Sequence, residues 1–235
     1  MARAERPARS RPQTVVGLPV AKKTAVMQAT SISGRGWGSM GFFRTVSAGV
    51  ALACSIVAPV MAASLEDAVA AYRRTDYATA FQVYHFLADQ GLAVAQFNLG
   101  LMYANGLGVS KDETEAMKWY RLAADQGRAD AQYQLGHLFY QQNNFAEAVK
   151  WFRLAADQGR PDAQSNLGVM YAEGEGVPRD DVQALMWFTL AADQNHKDAI
   201  ENRDNAASTM TAAQIAVAKK LAREWKPASP SPLVR

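Results

Sequence analysis

Two nearly identical passages decide the fold of this chain: RLAADQGRADAQ at residues 121–132 and RLAADQGRPDAQ at residues 153–164. They differ at a single position, where Ala129 in the first copy corresponds to Pro161 in the second. A catalytic motif rarely occurs twice in one chain, whereas a packing unit that stacks on its own copies must be repeated. The recurrence therefore indicates a repeat architecture.

Alignment on this passage divides the chain into the units 65–91, 92–127, 128–159 and 160–195, of which the first is degenerate. Apolar residues within a unit follow a helical spacing of i, i+4, i+7, as in Ala131, Leu135 and Leu138, rather than alternating. Each unit is predicted to form two amphipathic helices. The chain is therefore predicted to be all-α, a solenoid that a last helix at 211–225, opened by a Thr211–Gln214 capping box, closes at its end.

Glycines and capping residues predict how the helices join. Gly100, Gly136 and Gly168 recur inside the first helices, which predicts that an aromatic ring of the second helix approaches too closely for a Cβ. Gly127, Gly159 and Asn195 are predicted to end the second helices in the left-handed conformation, and Asp130 and Asp162 to cap the helices that follow. Capping boxes are predicted for two long linkers, from the pairs Asp112 with Glu115 and Asp180 with Gln183.

The N-terminal part of the chain has a different composition. Residues 1–63 carry eight Lys or Arg and one acidic residue, whereas the remainder carries 17 basic and 21 acidic residues. Residues 40–63 are predicted to be a cleaved signal peptide, with Val60 and Ala62 at the −3 and −1 positions of the cleavage site. This segment contains the only cysteine, Cys54. Residues 1–39 are then a disordered extension or lie upstream of a true start at Met40, and an uncleaved signal would be the only membrane contact. Residues 226–235 are predicted to be a disordered tail.

Charge and motifs also argue against several classes of function. The acidic balance of the folded part argues against binding of nucleic acid, which requires concentrated positive charge. The histidines His85, His137 and His196 show no metal-ligand spacing, and no nucleophile motif is present. We therefore predict no catalytic residues, no metal and no cofactor.

The succession AxAQxxLGxxY, GxGVxxD, AxxWYxxAAxQG closely resembles the Sel-one-like repeat, a relative of the tetratricopeptide repeat. The resemblance covers roughly residues 65–225. It implies a right-handed superhelix of antiparallel helix pairs whose first helices line a concave groove. It also implies a protein-protein adaptor, in bacteria often exported, so we expect a periplasmic or secreted location.

By the same resemblance, the groove would be lined by ten residues of the first helices that mix apolar, aromatic and neutral polar side chains. These predicted groove positions are Phe97, Leu101, Asn105, Tyr133, His137, Tyr140, Gln141, Ser165, Val169 and Glu173. They suit a peptide or a helix of a partner protein. A non-catalytic regulatory subunit of an envelope enzyme or polysaccharide machine is the second hypothesis, and a hydrolase acting on cell-wall or β-lactam substrates is the third.

Overall fold

The computed structural model describes residues 64–228, which form ten α-helices and no strand. The helices are α1 (Leu65–Arg73), α2 (Tyr77–Asp89), α3 (Ala93–Asn105), α4 (Glu113–Asp125), α5 (Ala129–Gln141), α6 (Phe145–Asp157), α7 (Pro161–Glu173), α8 (Asp181–Asp193), α9 (Lys197–Ser208) and α10 (Ala212–Glu224).

The helices pack in series. Within each predicted unit the first helix packs on the second, and the second packs on the first helix of the next unit. Both α9 and α10 pack against α8, so α10 covers the end of the stack. The fold is the predicted right-handed α-solenoid of antiparallel helix pairs.

Small residues set the distance between the two helices of a pair. A Cβ added at Gly100, Gly136 or Gly168 would lie 2.6 Å from an aromatic ring of the second helix, those of Tyr120, Phe152 and Phe188 respectively. The prediction of a close approach is therefore confirmed. In the middle pair the ring belongs to the fully buried core, since Phe152 is 1% exposed.

The linkers inside the pairs are of two kinds. The short turns after α1 and α5 pass through a single left-handed residue, Thr75 (φ 62°) or Asn143 (φ 58°). The longer linkers after α3 and α7 each press a glycine onto the start of the second helix of the preceding unit. A Cβ at Gly108 would lie 2.2 Å from the carbonyl oxygen of Tyr77, and one at Gly176 would lie 2.4 Å from that of Phe145.

The corners between pairs adopt the predicted backbone conformation. Gly127 and Gly159 have φ of 86° and Asn195 has φ of 62°. The prediction that Asp130 and Asp162 cap the following helices is wrong. Arg128 and Arg160 occupy the N-cap positions without a side-chain capping bond, and the two aspartates lie in the first helical turn.

The predicted capping boxes are confirmed in part. Thr211 and Gln214 form the predicted reciprocal capping box. Asp112 and Asp180 cap their helices by accepting from two backbone N–H groups each. Their own N–H groups donate to the carbonyl oxygens of Tyr103 and Tyr171 rather than to Glu115 and Gln183, so these two caps are one-sided.

The chain beyond α10 lies against the corner between α6 and α7, at Gly159. The backbone N–H of Ala228 donates to the carbonyl oxygen of Asp157 over 2.6 Å. Among residues 64–228, no helix combines the length and apolar character needed to cross a membrane. The predicted extension at 1–39, the predicted signal peptide at 40–63 and residues 229–235 lie outside the described residues.

Candidate protein-binding groove

Buried glutamines tie each corner to its neighbours. Gln132 donates through Nε2 to the carbonyl oxygen of Ala124 (3.2 Å), and its Oε1 accepts from Nε2 of Gln158 (2.7 Å). Nε2 of Gln158 also lies 3.0 Å from the carbonyl oxygen of Gly127. The pairs Gln96 with Gln126 and Gln164 with Gln194 repeat the bond between glutamines. These amides satisfy carbonyl groups at the ends of helices and fix how one pair follows another.

A chain of alternating charges runs along the N-terminal ends of the first helices. We call Arg128, Asp130, Arg160, Asp162 and His196 the charge ladder. Arg128 Nη2 lies 3.1 Å from Asp130 Oδ2, and Arg160 Nη1 contacts the other oxygen of Asp130. Arg160 Nη2 lies 3.2 Å from Asp162 Oδ2, and His196 Nε2 lies 3.3 Å from Asp162 Oδ1. The ladder therefore connects three successive first helices.

Two groove positions support the arginines of the charge ladder. The guanidinium carbon of Arg128 lies 5.0 Å from the ring centroid of Phe97, and that of Arg160 lies 4.8 Å from the centroid of Tyr133. A cation over an aromatic face at this distance is stabilised by the ring quadrupole. Each arginine thus spans the boundary between its own repeat and the preceding one.

Ionisation within the charge ladder follows from its contacts. The hydrogen bond from His196 and the positive charge of Arg160 lower the pKa of Asp162, against the opposing effect of burial. The same hydrogen bond raises the pKa of His196, and the negative charges of Asp162 and Asp198 add to the effect while burial opposes it. Both shifts favour the ion pair.

The predicted groove positions differ in exposure. Phe97, Tyr133, His137 and Ser165 are buried, Leu101, Tyr140 and Val169 are partly buried, and Asn105, Gln141 and Glu173 are exposed. The rings of Tyr133 and His137 are stacked with centroids 6.5 Å apart. Of the buried members, Phe97 and Tyr133 contact the charge ladder. The exposed members all lie in the last turns of the first helices.

His137 is buried and neutral. It is 7% exposed, and burial lowers its pKa, which keeps the ring neutral near pH 7. Among residues 64–228, no three His, Cys, Asp or Glu side chains converge as metal ligands would.

Tyr140, one of the predicted groove positions, lies beside the first residue of α6. Its ring packs edge-on against Phe145 with centroids 5.3 Å apart. Burial raises the pKa of Tyr140 to about 12, and the carboxylate of Glu175 adds to the effect. The phenol is therefore a hydrogen-bond donor at neutral pH.

A separate cleft of about 400 Å³ lies at the C-terminal end, between α8, α9 and α10. Arg203, Lys219 and Arg223 line it together with Asp193 and Asp204. Arg203 is already paired with Asp204 at 2.8 Å, so the cleft combines both charges without a single dominant sign.

The repeats match a known family model. The model of the Sel1 repeat matches residues 93–127, 129–159 and 161–196, whose limits follow the helix pairs α3 with α4, α5 with α6, and α7 with α8. Residues 93–196 are Sel1 repeats. The suspected resemblance to the Sel-one-like family is confirmed, and the glutamines and the charge ladder lie within these Sel1 repeats or at their ends.

Two solved Sel1-repeat structures are similar to this chain. A Sel1 repeat protein from Oxalobacter formigenes is 34% identical, with 63% of this chain and 65% of that chain covered at a TM-score of 0.54. A protective antigen of uropathogenic Escherichia coli strains with an SLR fold is 29% identical, with 63% and 40% covered at a TM-score of 0.50. The match thus spans less than two thirds of either structure. No curated protein sequence matches the chain significantly.

Sel1 repeats generally mediate protein-protein interaction, and proteins built from them are typically non-catalytic scaffolds. The residues that organise this surface were only partly found from the sequence. Arg128, Arg160 and the glutamines were missed, although both copies of the opening passage contain them. Their identity in the two copies was the available signal.

Proposed function

We propose that this protein is an adaptor that binds a partner protein or peptide along the groove formed by its first helices. The proposal rests on one observation: the contacts inside the stack are the same from repeat to repeat, whereas the exposed residues at the last turns differ. The glycines, the buried glutamines and the left-handed corners make the same contacts in each repeat. The positions Asn105, Gln141 and Glu173 occupy equivalent last turns yet differ chemically, which is typical of a scaffold that presents a specific surface.

The exposed part of the groove suits a polypeptide better than a small charged ligand. Leu101 and Val169 contribute partly buried apolar side chains, while Asn105 and Gln141 are exposed and can donate and accept hydrogen bonds. Such a surface can recognise a peptide backbone together with some apolar side chains.

We further propose a location in the bacterial envelope or outside the cell. The support is the signal-peptide pattern of residues 40–63 and the similarity to a protein described as a protective antigen. Mass spectrometry of the mature N-terminus is expected to find Ala63 or Ser64 as the first residue. A mature protein that starts before residue 40 would contradict cleavage.

The binding proposal is tested by affinity capture from an envelope extract. We expect Asn105→Arg, Gln141→Arg and Glu173→Arg together to abolish capture of a specific partner, because three added charges block the open end of each first helix. The comparison variant carries Leu122→Arg and Leu154→Arg, on second helices, where the side chains are 41% and 47% exposed. We expect it to retain capture.

The outcomes separate the alternatives. Loss of capture in the comparison variant alone would place the interface on the second helices and contradict the groove. If the captured partner is an envelope enzyme whose activity changes on binding, the protein is a regulatory subunit of that enzyme. Turnover of wall or β-lactam substrates by the purified protein alone would contradict a purely non-catalytic role.

A further inference from the structure

The charge ladder ends abruptly at its N-terminal side. Arg160 contacts two carboxylates, Asp162 of its own helix and Asp130 of the preceding repeat. Arg128 is the equivalent residue one repeat earlier, and in the described part of the chain its one acidic contact is Asp130 of its own helix. The position that corresponds to Asp130 in the preceding repeat is Val94. Arg128 therefore lacks the carboxylate of the preceding repeat that Arg160 has.

We call this missing carboxylate the gap. The residues around it are apolar, whereas the equivalent residues of the later repeats are polar. Arg128 lies over Phe97 as Arg160 lies over Tyr133, but Phe97 has no hydroxyl, whereas Tyr133 has one. Leu92 takes the place that an arginine occupies in the next two repeats and is 40% exposed. By the equivalence of the repeats, the side of Arg128 that faces the preceding repeat has Leu92 and Val94 in place of an arginine and an aspartate, so the chain supplies no second carboxylate there.

We propose that the partner fills this gap with the carboxylate of an aspartate or glutamate, bound by Arg128, and places a neighbouring apolar side chain against Leu92 and Val94. This inference rests on the proposed function and names the chemistry of the bound peptide. The charges are complementary, since the partner's carboxylate would take the position beside Arg128 that Asp130 takes beside Arg160. A single carboxylate fits better than a phosphate, because Asp130 already occupies one edge of the Arg128 guanidinium and would repel a doubly charged group.

The test uses peptides selected from a phage-displayed library of random dodecamers against the full chain. We expect the selected peptides to share an acidic residue next to an apolar one. Replacement of that acidic residue by its amide in a synthetic peptide is expected to weaken binding about tenfold, the usual effect of losing one charge-assisted hydrogen bond.

The decisive variant is Val94→Asp, which gives the chain its own carboxylate at the gap. We expect it to weaken binding of the acidic peptide by about tenfold or more while the melting temperature is unchanged or higher, because an acid in the first turn of α3 also favours the helix. Val217→Asp makes the same change at a position that is 50% exposed on α10. This control is expected to bind as the original chain does.

Each result decides a different claim. Selected peptides without an acidic residue, or binding that Val94→Asp leaves intact, would overturn the inference and leave the adaptor function standing. If Val94→Asp weakens binding of the selected peptides but Asn105→Arg, Gln141→Arg and Glu173→Arg together do not, the interface lies at the N-terminal ends of the first helices, which would contradict a surface at their last turns. A library that yields no binding peptide at all would count against both.

Discussion

Arg160 lies over the ring of Tyr133 across the boundary between two repeats, with 4.8 Å between the guanidinium carbon and the ring centroid. The same guanidinium contacts Asp130 and Asp162 on either side of that boundary. One side chain thus carries a ring contact and two ion pairs, and it is 27% exposed. Its removal tests whether the charge ladder stabilises the stack.

Arg160→Ala is expected to lower the free energy of unfolding by about 1–2 kcal/mol, as the cation–π contact and a partly buried pair are lost together. Urea denaturation followed by circular dichroism measures the change. Arg179→Ala is the control, since Arg179 pairs with Asp181 but is 68% exposed. It should cost less than about 0.5 kcal/mol, and equal costs for both variants would show that the ladder adds nothing.

Stability should fall with rising pH because of His196. Its pKa is raised in the folded state by the bond to Asp162, so its contribution is fully present below the unfolded pKa of 6.5 and is lost as pH rises through the folded pKa. His196→Asn, which keeps an N-cap side chain, should remove this dependence. Denaturation of both proteins between about pH 6 and pH 8 measures it, and an unchanged slope in the variant would refute the assignment.

His137 should act in the opposite direction and at lower pH. Burial lowers its pKa below 6.5 in the folded state, so the unfolded chain binds the proton more readily and stability is lost as pH falls. His137→Leu introduces the residue found at the equivalent position 101. The variant should lose less stability on acidification from about pH 7 to pH 5 than the original chain, and a greater loss would contradict a neutral buried histidine.

Gly136→Ala should destabilise the middle pair although alanine favours helices. The new Cβ would lie 2.6 Å from the Phe152 ring, and overpacking of this kind costs about 1–3 kcal/mol, more than the gain of about 0.5–1 kcal/mol in helix propensity. Phe152→Leu vacates part of that space. Urea denaturation should show a smaller cost of Gly136→Ala in the Phe152→Leu background, and additive costs would mean that the two residues do not compete for space.

Gln132→Leu should cost about 1–3 kcal/mol, because it removes the bond to the Ala124 carbonyl and the acceptor for Gln158 in a site that is 4% exposed. The same substitution at the exposed Gln82 should change stability by less than about 0.5 kcal/mol. Thermal and urea unfolding of both variants make the comparison. A cost at position 132 no larger than at position 82 would show that the buried amide is dispensable.

Much of the fold was predictable because it depends on local spacing. The helix pairs follow from apolar periodicity, and the glycine at position 136 revealed a close approach before the ring of Phe152 was identified. The charge ladder was not predictable in the same way. Asp130 looked like a helix cap because aspartate favours that position, but α5 begins at Ala129, which leaves the carboxylate in the first turn where Arg128 and Arg160 reach it.

The candidate site was harder to predict from the sequence than the fold. The equivalence of Phe97, Tyr133 and Ser165 indicated their place in the repeat, but their burial depends on neighbouring repeats that no local pattern describes. The role of Arg128 becomes apparent only when Arg128 is compared with its equivalent Arg160, and Val94 with its equivalent Asp130. The predicted groove positions remain predictions that the capture experiment tests.

The two kinds of linker have a consequence for how such a chain can lengthen. Gly108 rests on Tyr77 and Gly176 rests on Phe145, so each long linker sits on a preceding unit whose second helix opens with an aromatic residue after a tight turn. Duplication of a pair that contains a long linker, or deletion of the short-turn pair between two of them, would place a long linker on the wrong kind of neighbour. A block of four helices, one pair of each kind, can be added or removed while preserving these contacts, so this solenoid can lengthen by two pairs at a time.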